Sequence, residues 1–296
     1  MNLPRINKTI KRVLLHVCLI LIASFGIFPF IWTTGSSFKT LEEFYELKPS
    51  LLPRNPTVMN YVYVFRGIGE GGQSSGAAYM LILYRNSIYT TVVSTLLTVA
   101  IASLAGYAFA RLKFRGRDAI FYFFIVLMFL PAGGTLMALY TLMRTLKLID
   151  KLWGLILVYT GGGGTALFLM RQIFLNIPSE IEDAAKVDGA NSLRIAFQIM
   201  FPLATAGMVL VGIMKFMGGW SEFILPQTFI RSADKMTLPI GMWRVTTIAN
   251  NLAQARTLPS PGVTYTVMLL VVLPAVLVFV FMQKWFIRGA VEGLKL

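Results

Sequence analysis

Four carboxylates fall between positions 180 and 188: in PSEIEDAAKVDGANSLRIAFQIMFPL, residues 178–203, they are Glu180, Glu182, Asp183 and Asp188. Acid–base or metal chemistry would need partners for them, and the chain offers few. His16 is its only histidine and Cys18 its only cysteine, both far upstream in an apolar stretch. Metal sites built from His and Cys, and Ser/His or Cys/His nucleophilic catalysis, therefore have no second member. No Gly-x4-Gly-Lys-Ser/Thr phosphate loop occurs either. The chemistry left to these acids is electrostatic: capping helices and meeting a partner.

Local rules turn the segment into helix, turn, helix. Pro178 ends the preceding element, Ser179 is suited to cap a new helix, and Glu182 completes a Ser-x-x-Glu capping box. Glu180, Glu182 and Asp183 then sit in the first turn, where the helix dipole favours negative charge. Gly189 supplies a left-handed C′ residue, Asn191 caps the second helix, and Pro202 punctuates it. So short a first helix is marginal alone in water and needs something to dock against. Ile181, Ala184, Ala185 and Asp188 recur at spacings of three and four, which gives it a small acid-edged face for a protein partner. A helix lying on lipid would carry Lys and Arg on its polar side instead.

The elements that position this segment are apolar. The 296 residues are 56% hydrophobic, mean hydropathy is +0.69, and only 14% are charged. Six charge-free stretches are long enough to cross a hydrocarbon layer of about 30 Å: Val13 to Phe38, Asn86 to Ala110, Ala119 to Met143, Leu152 to Met170, Ile195 to Met214 and Thr257 to Gln283. Phe28, Pro29, Phe30 and Trp32 stand where a signal-peptide cleavage site would need small residues, so the first stretch reads as a retained span. In the second, Ser94, Thr98, Ala102, Gly106 and Ala110 form a small-residue stripe for close helix packing. In the fourth, Gly161 to Gly164 predict either an opened turn facing a water-filled path or close packing.

Six spans place both termini on one side. With that side cytoplasmic, 14 of the 27 Lys and Arg residues fall in about 57 inside residues and 13 in about 97 outside ones, which favours this orientation although Arg144 to Lys151 opposes it. The net charge of +14 is spread over all loops, as for membrane-flanking anchors rather than a nucleic-acid surface. The long outer loops, about 36–85 and 217–262, can form a small folded surface, and the Gly/Ser-rich GIGEGGQSSGAA reads as mobile.

IPSEIEDAAKVDGANSLRIAFQIMFPL resembles the EAA loop of permease subunits of ATP-binding-cassette importers. Asp183, Ala184 and Ala185 match its opening triplet, Gly189 its glycine, and Ile199, Phe201 and Pro202 its ending; Asp183 replaces Glu and Phe201 replaces Leu. FPFIWTTGSSFKT, RNSIYTTVVSTLLTVAIASLAGYAFARLKFRGRD, WSEFILP and RGAVEGLKL are similar to the maltose-type carbohydrate branch, in its MalG-like half, with Ser221 where Asn is usual.

The resemblance implies an all-α integral membrane protein: a six-transmembrane-helix bundle of the type I importer permease (MetI-like) kind with a cytoplasmic coupling helix. It implies a single domain over 1–296 in a bacterial inner or plasma membrane, with spans near 13–35, 86–110, 119–142, 152–173, 195–216 and 263–284. The coupling loop is 178–202, with Glu182, Asp183, Ala184, Ala185, Asp188, Gly189 and Pro202 as coupling residues. No cofactor is expected in this chain: ATP and Mg belong to a separate ATPase dimer. A second permease subunit and an extracytoplasmic solute-binding protein are the other expected partners, and a carbohydrate the cargo.

Sugars are held by aromatic faces and hydrogen-bonding groups. Tyr107, Phe129, Tyr159, Thr160 and Gly161 to Thr165, Gly162 among them, are accordingly substrate-path candidates, and Trp220 and Glu222 outer-loop candidates. Lys215 and Glu222, two helical turns apart, would pair at the outer rim or leave Lys215 snorkelling. The rival reading is a secondary transporter or channel, which commonly carries ionisable residues within its spans; the six stretches hold no Asp, Glu, Lys or Arg.

Overall fold

A computed structural model describes residues 8–48, 50–66, 76–129, 132–254 and 261–294. Its described elements are helical. They begin with α1 (Lys8–Ser37), the short α2 (Leu41–Phe44), α3 (Met59–Arg66) and the long α4 (Ala77–Arg111). Next come α5 (Arg117–Met128), α6 (Ala132–Thr145), α7 (Leu152–Gly161), α8 (Gly164–Asn176) and α9 (Ser179–Val187). After α10 (Ser192–Ile195), a π-helical turn (Ala196–Met200) leads to α11 (Phe201–Leu203) and α12 (Thr205–Ser221). The chain ends through α13 (Ile224–Phe229), α14 (Leu238–Gln254) and α15 (Gly262–Leu294). It divides into two compact units, residues 1–79 with 242–272 and residues 80–241 with 273–296.

Among the described residues three helices are long and apolar enough to cross a membrane: Lys11–Ser37, Ala77–Arg111 and Gly262–Lys284. Two bent pairs raise this to five when each counts as one span, Leu152–Gly161 with Gly164–Asn176 at 46° and Ser192–Leu203 with Thr205–Ser221 at 72°. The stretch expected as a third span, 119–142, is instead two helices, α5 and α6; residues 130 and 131 between them lie outside the described set. Much of the Gly/Ser-rich stretch, residues 67–75, also lies outside it.

In the first unit the loop after α1 is folded, as its length suggested. Thr40 accepts the Glu43 amide at the start of α2. Buried Glu43 in turn accepts the amides of Arg54 and Asn55 at 3.0 and 2.6 Å. Asn60 donates to the Ser37 and Lys39 carbonyls, so these backbone groups are satisfied locally, while the second Glu43 carboxylate oxygen is buried without a partner. Helix α4 starts at Ala77, within the stretch expected as outer loop up to residue 85.

The second unit is organised around α4. Ser94, Thr98, Ala102 and Ala110 of its stripe are all buried. A Cβ on Gly106 would come within 2.7 Å of the Met170 Cβ and 3.0 Å of the Arg171 amide, so the stripe does bring α4 and α8 together. Tyr107, Met170, Phe174, Ala185, Ile195, Ala196 and Met200 form one buried apolar cluster on this seam. At the glycines 161–164 the helix breaks, and a Cβ on Gly164 would meet Met128 Cγ at 2.7 Å, which is the close packing expected as one reading.

Candidate functional site

The 178–203 segment folds as helix, turn, helix, with one exchange of roles at its start. Helix α9 begins at Ser179, Pro178 precedes it, and no side chain caps it. The capping box does not form because Glu182 turns inward: its carboxylate lies 3.9 Å from the Arg111 guanidinium and 3.3 Å from the Lys186 ammonium. Arg111, at the end of α4, also donates to the Phe174 carbonyl at 2.6 Å and to the Ile177 carbonyl. Three elements, α4, the end of α8 and α9, are thereby tied at one guanidinium whose five donors suit such a fork. The far end follows the sequence rule. Gly189 has φ +80°, its amide donates to the Lys186 carbonyl, and the Ala190 amide donates to the Ala185 carbonyl, which together make a Schellman turn. Asn191 then accepts the Arg194 amide at 2.9 Å and starts α10.

This geometry redraws the expected docking face. Glu182 and Ala185 are buried against the chain's own core and present nothing to a partner. The exposed residues are Glu180, Ile181, Asp183, Ala184, Lys186, Val187, Asp188 and Gly189, with Val187 88% exposed. Leu193, just beyond the turn, is 70% exposed. The result is an exposed apolar patch edged by Asp183 and Asp188. Lys186 pairs with Asp183 at 3.2 Å, and hydrogen bonds from its ammonium to Asp183 and Glu182 hold its pKa above the ordinary lysine value. Pro202 is exposed near the 72° bend at Ala204.

The other candidates separate. Tyr107 is buried and packed edge-on to Phe174 and Phe201. Phe129 is 81% exposed and stands apart from the rest. Trp220 lies inside α12, buried and stacked on Phe216, rather than in an outer loop. The Thr160 hydroxyl returns to the Ile156 carbonyl of its own helix.

Tyr159, Gly162 and Glu222 do converge. With Ser94, Thr95, Thr98, Lys215, Gly218 and Gly219 among the other lining residues, they border a cavity of about 270 Å³. Lys215 does not pair with Glu222 within 4 Å; its ammonium donates to the Gly162 carbonyl at 2.9 Å, across the glycine break. The Glu222 carboxylate accepts the amides of Ile224 and Leu225 and so starts α13. Hydroxyls of Thr95, Thr98 and Tyr159 are buried with no partner, and each such group costs about 1–3 kcal/mol. Lys215 thus puts a cation in a helix counted as part of a span, which removes the argument that the spans carry no charge.

One residue had no sequence signal at all. Asp150, with φ +60°, receives the amides of Arg231 and Ser232, the Ser232 hydroxyl and the Lys235 ammonium. Burial opposes its ionisation, but these bonds, led by Ser232, outweigh it and hold the carboxyl below the usual carboxylate range. The clasp joins the α6–α7 connection to the segment after α13.

Known proteins are similar to this chain. Residues 98–291 match the family described as binding-protein-dependent transport system inner membrane component. The chain is 29% identical over 294 residues to the galactooligosaccharides transport system permease protein GanQ of Bacillus subtilis, covering 98% of this chain and 97% of that one. It is 34% identical over 240 residues to the inner membrane ABC transporter permease protein YcjP of Escherichia coli, covering 80% and 82%. A bacterial ABC transporter involved in import of the acidic polysaccharide alginate contains a chain of the same fold: TM-score 0.79, 21% identity, covering 97% of this chain and all of that one. The match over more than half its length places this chain in the family of binding-protein-dependent transport system inner membrane components.

Proposed function

We propose that the chain is the permease subunit of an ATP-driven carbohydrate importer, and that α9 is its coupling helix. The observation that carries this reading is the two-sided construction of α9. Its inner face is pinned to α4 and α8 through Glu182, Arg111 and Ala185, while its outer face presents Ile181, Ala184 and Val187 beside two carboxylates, with Leu193 of α10 exposed next to it in sequence. A helix anchored on one side and apolar on the other moves the bundle when a partner moves it. ATP hydrolysis belongs to the separate ATPase chain. Residues 1–296 would act as one transmembrane domain of six spans, α5 with α6 supplying the third. The 178–202 loop and both termini would face the cytoplasm, a second permease would complete the path, and a solute-binding protein would dock on the outer loops. Carbohydrate cargo is supported by the galactooligosaccharide system to which GanQ belongs.

The test uses the outer face. Val187→Asp and Ala184→Glu should release the ATPase subunits on purification while the chain still inserts, because both sites are exposed. A cysteine at position 188 in a Cys18→Ala background should react only from the cytoplasmic side. Full ATPase retention in both variants, or labelling of intact cells from outside, refutes the reading. The secondary-transporter alternative predicts uptake in vesicles with no ATPase present.

A further inference from the structure

The polar cavity has a construction of its own. Lys215 lies in α12 and Glu222 caps its C-terminus, seven residues and about 10 Å further along at about 1.5 Å per residue, and Gly218 and Gly219 lie between them on the cavity side. The floor between a cation and an anion is therefore bare backbone. A Cβ on Gly218 would meet nothing within 4 Å, whereas one on Gly219 would touch Thr91 of α4 at 3.3 Å. Ser94, Thr95 and Thr98 of α4 form one wall, and Tyr159 with Gly162 another. Buried Thr98 borders the space with an unpartnered hydroxyl, as do Thr95 and Tyr159.

The charges choose the ligand. Lys215 has donors to spare beyond its bond to Gly162. Glu222 has acceptor capacity beyond the two amides on its first oxygen. An anion placed here meets Glu222 and a cation meets Lys215, while a neutral ring of hydroxyls, each both donor and acceptor, satisfies both ends. The cavity that both side chains border, about 270 Å³, is the space such a ring would fill. An ionisable side chain directed into the interior of a membrane bundle marks a functional site.

Building on the importer reading, we propose that this cleft is a saccharide subsite in the chain's own half of the path, built for one neutral ring. Lys215 donates to the ring's hydroxyl oxygens, Glu222 accepts from them, and Gly218 leaves the space the ring occupies. Acidic sugars such as uronates are excluded by Glu222.

The test uses the complete complex, this chain with its partner permease and ATPase subunits, in nanodiscs. It is titrated with the neutral probes galactobiose, cellobiose and arabinobiose and with digalacturonate. At least one neutral probe should bind tenfold or more tightly than digalacturonate. Gly218→Leu should weaken that binding at least tenfold, and Gly218→Ala, whose methyl enters open space, less than threefold. Lys215→Met and Glu222→Gln should each weaken it at least threefold, the glutamine still capping α13 through its carbonyl oxygen. ATP hydrolysis by all four variants reports intact assembly. Wild-type binding by Gly218→Leu, digalacturonate binding as tight as the neutral probes, or no neutral binding overturns the subsite. Loss of the ATPase subunits from the unmutated complex instead overturns the importer reading, so the two failures are separate.

Discussion

Replacing Arg111 by Met would remove one side chain and loosen three elements. The guanidinium donates to the carbonyls of Phe174 and Ile177 and approaches Glu182 at 3.9 Å, with side chains 11% and 8% exposed. At the long limit of an ion pair, and with Glu182 still held by Lys186, the Glu182 contact contributes little. The two charge-assisted bonds to carbonyls dominate, and at about 1.5 kcal/mol each their loss comes to about 3 kcal/mol. Glu182→Gln leaves both bonds and the packing in place and should cost about 1 kcal/mol. For a domain of this size, about 3 kcal/mol lowers the melting midpoint by roughly 6–12 °C. The assay is thermal unfolding of the purified complex followed by size exclusion at one fixed heating rate, since membrane assemblies unfold irreversibly. The order should be Arg111→Met well below Glu182→Gln, which lies slightly below the parent. Equal midpoints for Arg111→Met and the parent would refute the claim that this guanidinium ties α9 to α4 and α8.

Gly106→Ala should destabilise by about 1–3 kcal/mol, because its Cβ would overlap Met170 and the Arg171 backbone; the same unfolding assay reads it, and a neutral result would mean that α4 and α8 are not in close contact. Gly189→Ala should weaken the end of α9 by about 1–2 kcal/mol through its positive φ alone, whereas Gly189→Asn should be milder; equal effects would remove the left-handed cap as the cause. The Asp150 clasp has a depressed folded-state pKa, so its stabilisation is fully present above the unfolded carboxylate value of about 3.9 and is lost as pH falls below that value. Hydrogen exchange at the Arg231 and Ser232 amides, corrected for intrinsic rate, should show constant protection from about pH 5 upward and reduced protection in Asp150→Asn. A fall in protection centred near neutrality would contradict this.

What the sequence disclosed was local. Gly189 and Asn191 do the work their types suggest because a left-handed residue and an amide-accepting side chain act within a few residues of themselves. The Ser94 to Ala110 stripe was legible because helical periodicity projects it onto one face. The misread features all depend on a residue far away. Glu182 fits a capping box on spacing alone, yet a long-range cation at Arg111 draws its carboxylate inward, and Ala185 goes with it. Lys215 fits a pair with Glu222 on spacing alone, yet the glycine break exposes the Gly162 carbonyl as a nearer partner. Asp150 bonds groups eighty or more positions away, a relation no local pattern encodes. Aromatic identity did not separate a cavity wall from packing: Tyr159 lines the polar cavity, whereas Tyr107 fills the seam behind α9.

The central claim, that the outer face of α9 meets the ATPase, is tested most directly by a photocrosslinking amino acid at position 187, where the native side chain is 88% exposed. Irradiation of membranes containing the full complex should join this chain to the ATPase subunit, and the same probe at position 137, on the exposed surface of α6, should not. A complex that transports normally while position 187 joins only lipid or nothing would contradict the account.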